Sequence, residues 1–155
     1  MGTEELKQHL QLPPVSQVGL TVRDLDRAVR YYEQILGLGP FVRKRISFSE
    51  VRYHGEPVDA EWLHAFCSLG PIELELAQPV AGRTIHREFL DTRGEGLHHL
   101  GFDVQDIAAH LETCARLGIE VLQSGKSPTG AFAYLDTERI GGVIFELIQR
   151  PARRA

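Results

Sequence analysis

One hydrophobic pattern occurs twice along the chain. Val18, Leu20 and Val22 alternate with Gln17, Gly19 and Thr21, and Leu100, Phe102 and Val104 alternate with His99, Gly101 and Asp103. Alternation of this kind predicts a strand with one buried face. The two stretches keep a fixed offset: Gly19 and Gly101, Val22 and Val104, and Asp24 and Asp106 each lie 82 residues apart. Each Asp stands where a helix N-cap belongs. A helix is predicted from the stripe Leu25, Ala28, Val29, Tyr32, Ile35 and Leu36, stopping at Gly37. A second is predicted from Ile107, Leu111, Cys114 and Leu117, stopping at Gly118. A glycine just past the last apolar turn is the usual C-terminal signal.

The ends of the halves repeat as well. Ile72-Glu73-Leu74-Glu75-Leu76-Ala77-Gln78 matches Val143-Ile144-Phe145-Glu146-Leu147-Ile148-Gln149, sharing Glu-Leu-x-Gln. Between helix and final strand each half has room for two more strands, over 41–48 and 58–67 in the first and 119–123 and 131–135 in the second. The expected fold is α+β, with βαβββ modules over 15–80 and 96–150. A linker over 81–95 joins them, an N-terminal extension covers 1–14, and a basic tail covers 151–155.

A chain of 155 residues can bury the core of one ordinary domain. Its 43% hydrophobic and 25% charged residues match a soluble globular protein. A net charge of -4 does not supply the basic patch that nucleic acid needs. The first residues contain Glu4, Glu5 and Lys7 and no long apolar run. They therefore predict neither a signal peptide nor a membrane span, and the default location is cytoplasmic. Cys67 and Cys114 have no CxxC spacing and read as small core residues.

Strand parity points to chemistry. If Val18, Leu20 and Val22 pack under the helix, Gln17, Gly19 and Thr21 face the concave side of the sheet. By the same count His99 faces inward, and His98 packs on the helix side with Leu100 and Phe102. Glu75 and Glu146 lie opposite the apolar faces of their strands. Taken singly, each is better read as an ordinary polar residue. Together, Gln17 pairs with His99 and Glu75 with Glu146 across the duplication. A carboxylate between Phe145 and Leu147 is costly to bury unpaired, and a cation beside it removes that cost. One His, two carboxylates and an amide oxygen suit one divalent ion of Zn, Co, Ni or Mn, with positions left for substrate.

These segments resemble the vicinal oxygen chelate superfamily, and within it the methylmalonyl-CoA epimerase-like group. The resemblance rests on Val18-Gly-Leu-Thr-Val-Arg-Asp-Leu-Asp-Arg-Ala-Val-Arg-Tyr-Tyr32, Leu36-Gly-Leu-Gly-Pro-Phe41, Gly94-Glu-Gly-Leu-His-His-Leu-Gly-Phe102 and Gly142-Val-Ile-Phe-Glu-Leu147. It implies a cupped mixed sheet of paired βαβββ modules around one divalent ion, usually in a homodimer. The implied ligands are Gln17, Glu75, His99 and Glu146. The implied chemistry is abstraction of a proton next to a carbonyl, through a metal-stabilised enolate, in a small carbonyl or thioester substrate. An isomerase, epimerase or related lyase is therefore expected.

Two departures from the epimerases qualify this. Gln17 stands where they usually have His, giving a ligand set similar to one branch of glyoxalase I and unlike the two His and one carboxylate of extradiol dioxygenases. Tyr134-Leu-Asp-Thr-Glu138 replaces a Phe-Leu-His-Pro-Lys-like stretch, which counts against a CoA ester. As catalytic groups the resemblance implies Glu146 and, counting back from Ala65-Phe66, Asp59, with Glu61 as the other candidate on that strand. The competing readings are a glyoxalase I-type isomerase and a metal-free protein that sequesters a small molecule or drug.

Overall fold

The computed structural model describes residues 9–151; the N-terminal part of the extension, 1–8, and the end of the basic tail, 152–155, lie outside the described residues. Strand β1 (Gln17–Thr21) leads into helix α1 (Leu25–Arg30), which widens into a π turn over Tyr31–Ile35. Then come β2 (Val42–Lys44), β3 (Ser49–Tyr53), β4 (Glu56–Pro57), β5 (Glu61–Leu69) and β6 (Ile72–Ala81). After helix α2 (Ile85–Arg93), the second half runs β7 (Gly96–Asp103), α3 (Ile107–Leu117), β8 (Val121–Lys126), β9 (Ala131–Leu135) and β10 (Ile144–Gln149). All ten strands form one curled mixed sheet in the order β2-β5-β6-β1-β7-β10-β9-β8-β3-β4. Strands β1 and β7 pair antiparallel at its centre, so the two modules join within one chain.

The repeated motifs have local structural work. Asp24 and Asp106 cap their helices, each accepting from the backbone N–H three residues on, at 3.0 and 3.1 Å. The glutamines of the two Glu-Leu-x-Gln strands reach the same helix starts: Gln78 Oε1 accepts from the Leu25 N–H at 2.8 Å, and Gln149 Oε1 from the Ile107 N–H at 2.9 Å. Two otherwise orphaned N–H groups are thereby satisfied in equivalent places. Val18, Leu20 and Val22 pack with Leu25 and Val29 of α1, as their parity predicts. Cys67 and Cys114 are free and buried in the two helix-side cores.

Three features differ from the expected pattern. The segment 81–95 is more than a connection, because it carries α2, started by Thr84 and by Gln123 Oε1, which accepts from the Ile85 N–H at 3.0 Å. Its face of Ile85, His86, Phe89 and Leu90 is buried. Strands β3 and β4 were not expected; they form a hairpin that leaves the first module and joins β8 of the second. The apolar stripe of α1 also fails to bury to its end. At the π turn the Leu36 N–H bonds the Tyr31 carbonyl at 3.3 Å, so Ile35 is carried out to 70% exposure.

The buried face of α2 allows a direct check. Leu90 is 2% exposed, so Leu90→Ala should lower the unfolding free energy by about 2–5 kcal/mol. Urea denaturation measures this, and a change near zero would return the segment to the status of a linker.

Candidate functional site

Gln17, Glu75, His99 and Glu146 project from β1, β6, β7 and β10, four strands that are consecutive in the sheet. Each is no more than 5% exposed. Their polar atoms meet around one nitrogen: His99 Nε2 lies 2.9 Å from Gln17 Oε1, 3.0 Å from Glu146 Oε2 and 3.8 Å from Glu75 Oε1.

Two glycines make this approach possible. Gly19 lies opposite His99 and Gly101 opposite Gln17 in the β1–β7 ladder. A Cβ on Gly19 would fall 2.0 Å from His99 Cε1, and one on Gly101 would fall 2.9 Å from Gln17 Cβ. Each glycine thus clears the space over which the other strand's side chain lies.

The orientation of Gln17 is set by a chain of charges. Its Nε2 donates to Glu73 Oε1 at 2.9 Å, which forces the carbonyl oxygen towards His99. Glu73 is held in turn by Arg150 at 2.9 Å, and Arg150 by Asp103 at 2.8 Å.

Burial raises the Glu75 carboxyl to about 8, and Glu146 pushes the same way against the pull of His99. His99 is raised as well: burial lowers it, but the carboxylates of Glu146 and Glu75 outweigh that loss. Among the described residues, neither Glu75 Oε1 nor Glu146 Oε2 has a hydrogen-bond donor, although both are shielded from solvent. Three oxygens turned on one imidazole nitrogen, two of them orphaned carboxylate atoms, are a donor set that fits a divalent cation.

The histidines behind the site differ from the parity expectation. A bulge between the Gly19 and Leu20 pairings inserts His98 into the ladder and turns it from the Leu100 face. His98 Nδ1 lies 2.9 Å from His99 Nδ1. The His98 ring stacks on His86 at 4.2 Å between centroids, and His86 Nδ1 accepts from the Trp62 indole N–H at 3.1 Å. His86, His98 and His99 bring nitrogens within 4.8 Å of one another. A ligated metal lies near the plane of each imidazole, however, and two stacked rings cannot both contain it. This trio fits a support for the His99 ring better than a second ion site.

A cavity of about 880 Å³ opens over Gln17, Glu75 and Glu146, with His99 beneath them. Gln17, Glu75, Glu146 and Tyr134 line its floor, and Trp62, His64 and Phe66 of β5 line a wall. Tyr134 lies opposite Glu146 on the neighbouring strand, and burial with that carboxylate nearby raises its hydroxyl well above the usual phenol value. The structure does not bring Asp59 or Glu61 into this cavity. Asp59 is exposed ahead of β5, with its carbonyl against Gly82. A register shift between Glu61 and Trp62 leaves Glu61 outside, in an ion pair with Arg45, while Trp62 turns inward. The proton-carrying side chain on this wall is His64, 6% exposed with Nδ1 unpartnered. Burial, with His99 nearby, lowers it to about 4, so it is neutral at pH 7. Its signal was present in the alternation Trp62-Leu63-His64-Ala65-Phe66-Cys67, but a requirement for a carboxylate points past it.

Residues 16–134 match the family described as Glyoxalase/Bleomycin resistance protein/Dioxygenase superfamily. The chain belongs to that superfamily. Within it, the ethylmalonyl-CoA/methylmalonyl-CoA epimerase of Cereibacter sphaeroides is 26% identical over 140 residues, covering 87% of this chain and 96% of the relative. The mitochondrial methylmalonyl-CoA epimerase of Mus musculus is 28% identical over 144 residues, covering 90% and 74%. A variant of Streptomyces coelicolor methylmalonyl-CoA epimerase, solved with 2-nitronate-propionyl-CoA, superposes with a TM-score of 0.62 at 21% identity, covering 94% and 99%. The superfamily fold is therefore shared across nearly the whole chain.

Two outcomes test this geometry. Gly19→Ala should displace the His99 ring and abolish divalent-ion binding, measured by calorimetry on refolded, chelator-treated protein, while Gly55→Ala on an exposed turn leaves binding intact. His64 takes up a proton on unfolding between its folded value of about 4 and the ordinary 6.5. The folded state therefore loses stability as pH falls through that window. Relative to the parent, His64→Gln should gain on the order of 3 kcal/mol between pH 7 and pH 4. Urea titrations at the two pH values give the difference, and an unchanged difference would mean that His64 is solvated.

Proposed function

We propose that this chain is a divalent-metal-dependent isomerase or epimerase that moves a proton on a carbon next to a carbonyl, with Gln17, Glu75, His99 and Glu146 as the metal ligands. The observation that carries the reading is the meeting of three oxygens at His99 Nε2, with two carboxylate oxygens buried and unpartnered. A divalent ion held there supplies Lewis-acid polarisation of the substrate's carbonyl oxygen, typically several kcal/mol of charge stabilisation. The carboxylates of Glu75 and Glu146 balance its charge, and Gln17 and His99 add neutral donors.

The proton is the protein's part of the work. Glu146, opposite Tyr134 in the sheet, is the group at the cavity floor that takes a proton from the substrate carbon. His64, on the β5 wall and neutral at pH 7, is the second proton carrier. Epimerisation needs two such groups, one for each face of the carbon. The epimerase names of the Cereibacter and mouse relatives support this reaction class rather than one acyl group. A purely ligand-sequestering protein also suits an aromatic cavity, but gains nothing from two buried carboxylates.

Elemental analysis of the purified protein should find one divalent ion per chain, removed by chelator and restored on reconstitution. Solvent deuterium should then enter the α position of acyl-CoA or 2-oxo acid substrates. Glu146→Gln and His64→Asn should each slow exchange by about 10²–10⁴-fold, and Asp59→Asn should leave it unchanged. Absence of metal before and after reconstitution would sink the reading.

A further inference from the structure

The cavity is built mostly of rings. Phe48, Trp62 and Phe132 stand mutually edge to face, with centroids 4.8–6.1 Å apart. His64 stacks on Phe66 at 5.8 Å along the same wall, and Tyr134 meets Phe132 at 5.5 Å. All six side chains line the one cavity above Glu75 and Glu146. Aliphatic residues would exclude water as well as these do. What rings add is a quadrupole, with positive edges and negative faces that reward another ring set at an angle.

The two arginines that line the cavity are already paired. Arg45 is paired with Glu61, and Arg150 with both Glu73 and Asp103. Lys44 is exposed at the cavity's rim, its Nζ 5.4 Å from the centre of the Phe66 ring. Among the described residues lining the cavity, a substrate carrying a second carboxylate finds no uncommitted cation deep inside. The buried, unpartnered Nδ1 of His64 offers a single hydrogen bond instead.

From this arrangement we infer that the substrate carries an aromatic ring, set against the cavity side of the Phe48, Trp62 and Phe132 cluster, on a head group with an oxygen donor for the metal site and no more than one negative charge. This inference rests on the proposed metal site for the head group and on the ring cluster for the body. It departs from the short branched acyl groups in the names of the epimerase relatives.

Trp62 is the chain's one tryptophan, so its fluorescence reports on the cavity directly. The test titrates the full Zn²⁺-loaded chain with mandelate, its ring-saturated analogue hexahydromandelate, and lactate, which share one α-hydroxy carboxylate head. Mandelate should half-saturate at about 3- to 10-fold lower concentration than hexahydromandelate, and at a still lower concentration relative to lactate. Phe48→Leu should bring the mandelate-to-hexahydromandelate ratio close to one; Phe132→Leu serves if that variant does not fold. Equal or tighter binding of the saturated analogue overturns the inference, as does failure of all three to bind. The same titration after chelation separates it from the metal reading. If the ring preference survives but affinity is unchanged by stripping, the metal site falls and the aromatic cavity stands; if affinity needs metal but shows no ring preference, the reverse holds.

Discussion

The site is organised around the surroundings of a single nitrogen. His99 Nε2 faces an amide oxygen and two carboxylate oxygens within 3.8 Å, almost fully buried at the floor of the cavity. Burying an ionised carboxylate costs several kcal/mol unless something positive meets it, and one imidazole proton cannot serve three oxygens. Burial, with Glu146 alongside, raises Glu75 to about 8 despite the pull of His99. A divalent cation would resolve this conflict by giving every oxygen the same partner. The glycines at 19 and 101 and the brace from Glu73 to Gln17 keep the conflict in place when collapse or a flipped amide would relieve it.

Duplication explains how four such residues come together, since equivalent positions on paired strands converge on the axis between modules. The symmetry is broken in the supports. On one side an amide is held by Glu73, Arg150 and Asp103, a network that reaches the surface. On the other an imidazole is held by a buried stack of His98, His86 and Trp62. A Gln ligand has two ends that differ only in hydrogen-bond sense, so it needs a dedicated acceptor to choose its carbonyl. The His needs a partner for its remote nitrogen. Replacing one ligand type by the other therefore means replacing its whole backing.

The repeat, the strand parity and the convergence of Gln17, Glu75, His99 and Glu146 were legible in the sequence because each depends on periodicity along one strand. What was not legible depends on a single irregular residue or on a partner far away. His98 changes face through a bulge that leaves no mark on the pattern of Leu97 to Phe102. Ile35 and Leu36 fit an ideal helix and are displaced by one wide turn. Val51 alone is fully buried in β3, so the hairpin that crosses to the second module shows no apolar run. The α2 stripe was readable at Ile85, Phe89 and Leu90, yet His86 among them made the segment look polar. Asp59 and Glu61 lie outside the cavity because the inward positions of β5 are Trp62, His64 and Phe66, a parity fixed by the register shift between Glu61 and Trp62.

Surroundings as well as ligands decide what this site can do. The same low-polarity wall that keeps His64 neutral also strengthens every charge interaction on the cavity floor, because a field in a poorly polarisable medium is weakly screened. A cation held at Gln17, Glu75, His99 and Glu146 would therefore act on a substrate oxygen more strongly than in water, provided the substrate fills the opening. A small acyl group would leave much of the roughly 880 Å³ to solvent, restoring the screening that the aromatic wall removes. A ring-bearing substrate closes the opening with its own body. On that argument Phe48, Trp62 and Phe132 serve the reaction as well as selectivity, by making the occupied site dry enough for its charges to count.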